Sequence, residues 1–414
     1  MVKIFILIML MSVSIAFPVQ AAEKIKPSAS TAQEQDTAGR FALLLEKLKQ
    51  HPEIQAYVSR AESSQFNADG ELGLPDPMLF IQEQDYPIGT SMSRDQEQKM
   101  IGFKQVIPAF GTRGAKSDRL GVESRKNKLL GDYAYAAMKS QFINSLANLA
   151  RIEEQEKLLA QQASLFGSER TSLKGRIAAN QATQSQLVLS EADSTDIQLM
   201  GADLGEEKHE IMAMLDNMVG ETPDIPLPAI DKVVWDRDVD NTYPVQVAAQ
   251  DIEMARKDVD LRESEFNPNF EVQASYGRMN GGDNAGTVMV GMSIPLWAAQ
   301  NQQPKLSGAK SGVRAAEADQ ENIKRQTLQK LTHLEAQIDA SDRKIDLLKH
   351  KESLLNASHG AQTREYEAGK SDLSMPLKTR RDMVSVRYQL AAERAKRTAL
   401  VADFNHYFIE GEER

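Results

Sequence analysis

Between Asn267 and Trp297 apolar and polar side chains alternate one for one. Phe270, Val272, Ala274 and Tyr276 occupy one set of positions and Glu271, Gln273, Ser275 and Gly277 the other. After Asn280-Gly281-Gly282-Asp283-Asn284 the alternation resumes, with Val288, Val290, Met292 and Ile294 set against Thr287, Met289, Gly291 and Ser293. A period of two puts each set on its own face of a pleated strand, and the Asn/Gly/Asp run between them is turn chemistry, so the stretch predicts a β-hairpin. A soluble sandwich strand shows the same alternation. Strands near the ~9–11 residues a membrane barrel needs, flanked by long polar helical segments, favour a barrel. On that reading Phe270, Val272, Val288, Val290 and Met292 face lipid.

A second, weaker hairpin lies upstream. Leu74-Pro75-Asp76-Pro77 stops a helix and starts an extended run, a polar loop of 88–97 follows, and Ile101, Phe103 and Ile107 then share a face opposite Gly102 and Lys104. The predicted strands are Met78–Tyr86, Met100–Ile107, Asn269–Gly277 and Thr287–Ile294. Around them the period changes to that of helices. After a polar lead over 23–39, Phe41 to Phe66 reads helical with a break at His51-Pro52, where proline suits a first helical turn. From Gly111 to Ala179 there is no proline, and Phe142, Leu146, Leu149, Ile152 and Leu159 recur at helical spacing, predicting a rod of roughly 100 Å. Asn180 breaks it, and Leu187, Ile197, Leu204, Ile211, Leu215 and Met218 form the seam of an antiparallel return.

The plan then repeats. Tyr243-Pro244 opens a helix as His51-Pro52 does, Asn267-Pro268 opens a strand as Asp76-Pro77 does, Ile294-Pro295-Leu296-Trp297 closes a hairpin as Ile107-Pro108-Ala109-Phe110 does, and Gly369 breaks a long helix as Asn180 does. Corresponding landmarks lie ~190 residues apart, the mark of a tandem duplication. The seam Leu331, Leu334, Ile338, Ser341, Ile345, Leu348, Glu352, Leu355 precedes Gly369, and Leu377, Val384, Tyr388, Ala391 and Ala395 carry the return. Pro376 is expected to offset the start of that last helix. The organisation is a signal peptide over 1–21, a first repeat over 22–220 (strands about 78–107, helical hairpin about 111–219 turning at 180), a linker over 221–242, and a second repeat over 243–414 (strands about 269–294, helical hairpin about 298–408 turning at 369).

Composition narrows the function. Lys3, the apolar run to Phe17 and the small residues around Val19 to Ala22 form an export signal, and no other stretch reaches the ~18 consecutive apolar residues of a spanning helix. There are no cysteines among 414 residues, which excludes disulfides, thiolate metal sites, a cysteine nucleophile and a lipidated N-terminal cysteine. A formal charge of -10 with both signs interspersed argues against nucleic acid. The six histidines have no metal-ligand spacing, so no metal site is expected. No P-loop, nucleophile elbow or zinc-protease motif is present, so neither an enzyme nor a cofactor is expected. Met78, Met100, Met279, Met289 and Met292 gather in or beside the strands. They read either as a soft path for Cu(I) or Ag(I) or, more simply, as gap-filling hydrophobes.

Two hairpins supply four strands. Four strands cannot close a barrel, and open edges in hydrocarbon leave backbone groups unpaired at several kcal/mol each, so several chains must share one barrel. The export signal, the duplicated plan, the Ile-Pro-x-aromatic strand endings and the Tyr-Glu-Ala-Gly-x-Ser turn at Tyr366 to Ser371 resemble the outer-membrane efflux protein family typified by TolC. The resemblance implies a mainly α protein with a membrane β-barrel. It further implies a homotrimer with a shared 12-stranded barrel in outer-membrane lipid, a periplasmic α-barrel, and partners in a periplasmic adaptor (membrane fusion) protein and an inner-membrane pump. Gln105 to Arg113 is similar to the strand ending of members serving heavy-metal pumps of the resistance-nodulation-division class, with metal cations as cargo. The family's gate commonly has acidic residues shortly after each turn. Gln186 and Met375 stand there in this chain, whereas Tyr366 matches. The tip candidates are therefore Tyr366, Gly369, Asp372, Asn180 and Gln186, with Tyr366 and Asp372 as gate residues or as ordinary solvated turn residues. A periplasmic adaptor and a coiled-coil scaffold are the rival readings, the first lacking the duplicated plan and the second lacking the strands.

Overall fold

The computed structural model describes residues 29–85, 97–180, 183–371 and 374–409. The expected signal segment, Tyr86 and Asp372 lie outside the described residues. The elements in order are α1 (Ala29–Lys49), α2 (Pro52–Glu71), β1 (Met78–Gln84), β2 (Gln98–Ile107), α3 (Thr112–Ala178), α4 (Gln184–Val219), α5 (Tyr243–Ser264), β3 (Phe270–Met279), β4 (Asn284–Met292), α6 (Gln302–Glu367) and α7 (Ser374–Asn405). The succession α2-β1-β2-α3-α4 recurs as α5-β3-β4-α6-α7. Helix α1 begins at Ala29 instead of Phe41, because Ala32 to Gln35 are strong helix formers whose polarity conceals the helix from a hydrophobic-period reading. Helix α2 likewise runs on past Phe66 to Glu71.

The four strands form one antiparallel sheet in the order β1-β2-β3-β4. Strands β2 and β3, from different repeats, pair along their whole lengths, from Gln98 opposite Met279 to Ile107 opposite Phe270. Strand bounds differ from expectation at the turns. Gly282 at φ +97° and the Met279 N–H to Asp283 carbonyl bond at 2.8 Å tighten the β3–β4 turn, so β3 extends to Met279 and β4 starts at Asn284. It ends at Met292 and not Ile294, since Pro295 has no N–H to continue the ladder. Where the strands give way to helices, asparagines knit the chain ends: Asn269 Oδ1 accepts from the Ala109 N–H at 2.7 Å and the Asn267 amide donates to the Phe110 carbonyl at 2.9 Å.

Nearer the sheet the helices lie side by side as α2–α3–α5–α6, and farther from it as α4–α3–α7–α6. The predicted seams are the buried ones: Phe142, Leu146, Leu149, Ile152 and Leu159 on α3, all six seam residues on α4, and Leu331, Leu334, Ile338, Ser341 and Ile345 on α6. Beyond Ile345 the α6 seam becomes half-buried, and Glu352 accepts from Arg387 Nε at 2.6 Å. Two apolar clusters lie along these layers. One joins α1 to α3 and α4, with Phe41 stacked on Phe142 at 6.2 Å. The other joins the linker to α5, α6 and α7, with Trp235 edge-on to Phe404 at 5.7 Å.

Polar side chains link the helices across their buried faces. Gln155, 1% exposed, accepts from Arg151 Nη1 at 2.7 Å and donates to the Tyr388 carbonyl at 3.2 Å. Asp403 on α7 accepts from Ser140 and Asn144 on α3. Tyr133 stacks on Tyr243 at 5.4 Å and on His406 at 5.9 Å; burial, helped by the Tyr407 phenol, pushes Tyr133 up to about 12, and burial holds His406 below the ordinary imidazole value. The chain end returns here, pairing Thr242 with Phe408.

Close strand approach leaves no room for a Cβ at Gly102 or Gly277, and Gly277 is the tighter of the two. A Cβ at Gly277 would lie 2.1 Å from the Lys99 carbonyl oxygen, whereas one at Gly291 meets only the Glu271 Cβ at 3.9 Å. Gly277→Ala is expected to destabilise the sheet severely and Gly291→Ala to leave it in place. Thermal unfolding of the two purified variants measures the difference, and similar curves for both would contradict this geometry.

Candidate functional site

The register assigns every strand residue to a face. Leu79 and Ile81 lie in rows with Phe103 and Ile101, then with Ala274 and Tyr276, then with Val288 and Gly286. Val272 sits opposite Val290, and Phe270 opposite Met292. All five residues expected to face lipid thus share one face with the apolar positions of the weaker hairpin. Val288 is 76% and Val290 70% exposed, Ile81 86%, so an apolar surface about 20 Å long in the strand direction is uncovered. Exposed Phe110, Leu296 and Trp297 continue it at the helix end, toward the ~25 Å height of a barrel's apolar belt. The other face carries Met78, Lys104, Gln273 and Met289 in one row, and there Lys104 pairs with Glu271 at 2.7 Å.

At the far end of the helices both turns use left-handed residues. Asn180 has φ +57° and Gly369 φ +69°, the two residue types that tolerate this conformation best. At Gly369 the N–H bonds the Tyr366 carbonyl and the Lys370 N–H bonds the Glu365 carbonyl, both at 2.9 Å, which is a Schellman motif. The Tyr366 side chain is 42% exposed. Gln186 has a different occupation from the one expected: its Oε1 accepts from the Thr183 N–H at 3.1 Å in a reciprocal capping box. The Thr183-x-x-Gln186 spacing announces that box in the sequence. Pro376, buried, falls in the first turn of α7, where a missing N–H costs nothing. Sequence reasoning also missed Arg381 on α7. It pairs with Asp193 on α4 at 2.9 Å and lies over the Phe166 ring of α3 at 5.7 Å, tying the helical hairpins of both repeats together close to the turns.

Residues 240–403 match the family model described as outer membrane efflux protein. No curated protein matches the chain. Among solved structures, the outer membrane protein VceC of Vibrio cholerae superposes with a TM-score of 0.73 at 16% identity, covering 92% of this chain and 98% of that one. The fold is that of the outer-membrane efflux channels. The CmeC outer membrane channel of Campylobacter jejuni (TM-score 0.73, 11% identity, 95% and 92% covered) and the open state of the MtrE outer membrane channel of Neisseria gonorrhoeae (0.73, 15%, 89% and 88%) share it.

In this channel fold the lateral helices are α4 on one side and α6 on the other. Leu189 and Leu199 of α4 and Leu347 and Leu354 of α6 are each more than half exposed, and among the described residues nothing covers them.

Arginine at Val290 is expected to impair outer-membrane assembly by ~2–4 kcal/mol for a position near a bilayer midplane. Arginine at Gly291, on the other face, is expected to carry no such charge penalty. Quantifying folded oligomer in outer-membrane fractions tests the pair, and equal tolerance at both would refute the face assignment. At the turns, Gly369→Val introduces ~1–2 kcal/mol of left-handed strain and Asn180→Gly relieves one. Chemical denaturation is expected to rank Asn180→Gly at or above the parent and Gly369→Val below it.

Proposed function

We propose that this chain is the outer-membrane exit duct of a tripartite efflux system. The observation that carries the reading is a four-stranded sheet with one uncovered apolar face and two open edges, from one end of which two long helical hairpins extend. Three copies give a shared 12-stranded barrel in outer-membrane lipid, and their helices, joined through α4 of one copy and α6 of the next, give a periplasmic tube. The functional units are the repeats 22–220 and 243–414 with the linker 221–242 between them. A periplasmic adaptor docks at the turns and an inner-membrane pump supplies the cargo. The rival readings as adaptor or coiled-coil scaffold leave the sheet without a purpose.

For the pump we carry forward the heavy-metal branch of the resistance-nodulation-division class, on the strength of the Gln105 to Arg113 strand ending. Met78 and Met289 on the polar face of the sheet offer thioethers to a soft cation. Met100 is buried against Ser275, and Met292 lies on the apolar face, positions that suit packing. Loss of silver and copper tolerance on deletion, restored by the parent gene, supports metal cargo; drug sensitivity alone assigns another cargo.

The gate we place at the tip. Tyr366 packs between neighbouring helix pairs, Asp372 repeats as an acidic ring, and the Arg381 to Asp193 pair holds the two hairpins in the narrowed arrangement. In planar bilayers Tyr366→Phe and Arg381→Ala are expected to raise the open level severalfold, and Asp372→Asn to lower cation selectivity. Parent-like traces for all three put the gate elsewhere.

A further inference from the structure

The apolar face of the sheet ends at a defined row. Two residues beyond Ile81, Ile101, Tyr276 and Gly286, about 7 Å farther from the helices, the same face carries Glu83, Lys99, Arg278 and Asn284, paired in that order across all four strands. The strands contain three cations, Lys99, Lys104 and Arg278. Lys104 is on the opposite face and paired with Glu271. The other two stand directly opposite each other on adjacent strands, an arrangement of like charges that is destabilising without a counter-anion.

The anions within the protein only partly meet this need. Lys99 is 70% exposed and lies 3.5 Å from Glu83 and 3.9 Å from Glu97, both longer than the ~2.7–2.9 Å of a charge-assisted hydrogen bond. Glu97 is buried and already accepts from the Asn280 amide at 2.8 Å. Arg278 is exposed and donates through Nε to the Gly282 carbonyl at 3.3 Å, and it makes no ion pair with a described residue. Among the described residues the helix end of the same face shows no such pair: the surface there continues through Ile294, Leu296, Trp297 and Phe110. The cations are thus confined to one depth, the outer edge of the apolar band.

We propose that Lys99 and Arg278 bind the phosphate of a phosphorylated glycolipid in the outer leaflet of the outer membrane. This rests on the membrane placement given under Proposed function. Acyl chains lie along the apolar rows, with Tyr276 at their upper edge, and the phosphate sits between the Lys99 ammonium and the Arg278 guanidinium. The guanidinium's planar fork matches two phosphate oxygens. Glu83 competes for Lys99.

The test uses the full-length protein purified in detergent micelles doped with diphosphoryl lipid A or with its dephosphorylated form, and lipid retained on the protein is measured by mass spectrometry. Preference for the phosphorylated form by roughly tenfold or more is expected, the worth of one charge-assisted hydrogen bond. Lys99→Gln and Arg278→Gln should each remove most of it, and Glu83→Gln should strengthen it. The Glu83 variant keeps the test decisive if the other two do not fold. Equal retention of both lipids, displacement by millimolar inorganic phosphate, or weaker retention by Glu83→Gln overturns the proposal. A parent protein that sits in the outer membrane and conducts, yet retains both lipids equally, defeats this inference alone. One that never reaches that membrane defeats the channel reading with it.

Discussion

Strands β1 and β4 each have one pairing neighbour among the described residues, which leaves two rows of backbone N–H and C=O groups without partners. In water such edges are solvated; beside lipid they are not, and the cost per unpaired group far exceeds what any one side-chain contact returns. If copies of this sheet share one membrane wall, as proposed above, edge closure between them governs the architecture. It sets the copy number, curves the sheet toward a shared wall, and brings the lateral helices α4 and α6 of adjacent copies together. On that reading the exposed leucines of these two helices become interface instead of liability.

Polar layers inside each copy fix how the helices slide relative to one another. Apolar seams with a 3/4 spacing can pack in more than one axial register. A buried Gln155 bonded to a particular carbonyl, that of Tyr388, and Asp403 gripped by both Ser140 and Asn144, cannot shift by a turn without leaving polar atoms unsatisfied. The Arg381 to Asp193 pair near the turns is more exposed and so more easily exchanged for water. Rigid upper layers and a looser lower one follow from that difference in burial.

Much of this was legible in the chain because membrane faces and helix seams both demand long periodic signals. The alternation from Phe270 to Met292 put all five residues on one face of the sheet, and Asn180 and Gly369 marked the left-handed turns, since few residue types adopt that conformation cheaply. What escaped were features without a local period. The β2–β3 pairing joins residues some 170 positions apart in the chain, and Arg381 finds Asp193 across repeats. The start of α1 escaped because its helix-forming residues are polar. Gln186, a tip candidate by resemblance, also caps α4, a role its spacing from Thr183 indicates.

That same β2–β3 pairing orders events during synthesis. When β2 leaves the ribosome its partner is still unmade, and the whole of α3, α4, the linker and α5 must follow before Phe270 can meet Ile107. Until then the first hairpin travels with an open inner edge and an apolar face, at a time when loop closure over so long a segment is slow. The nascent protein is most vulnerable to aggregation in that interval.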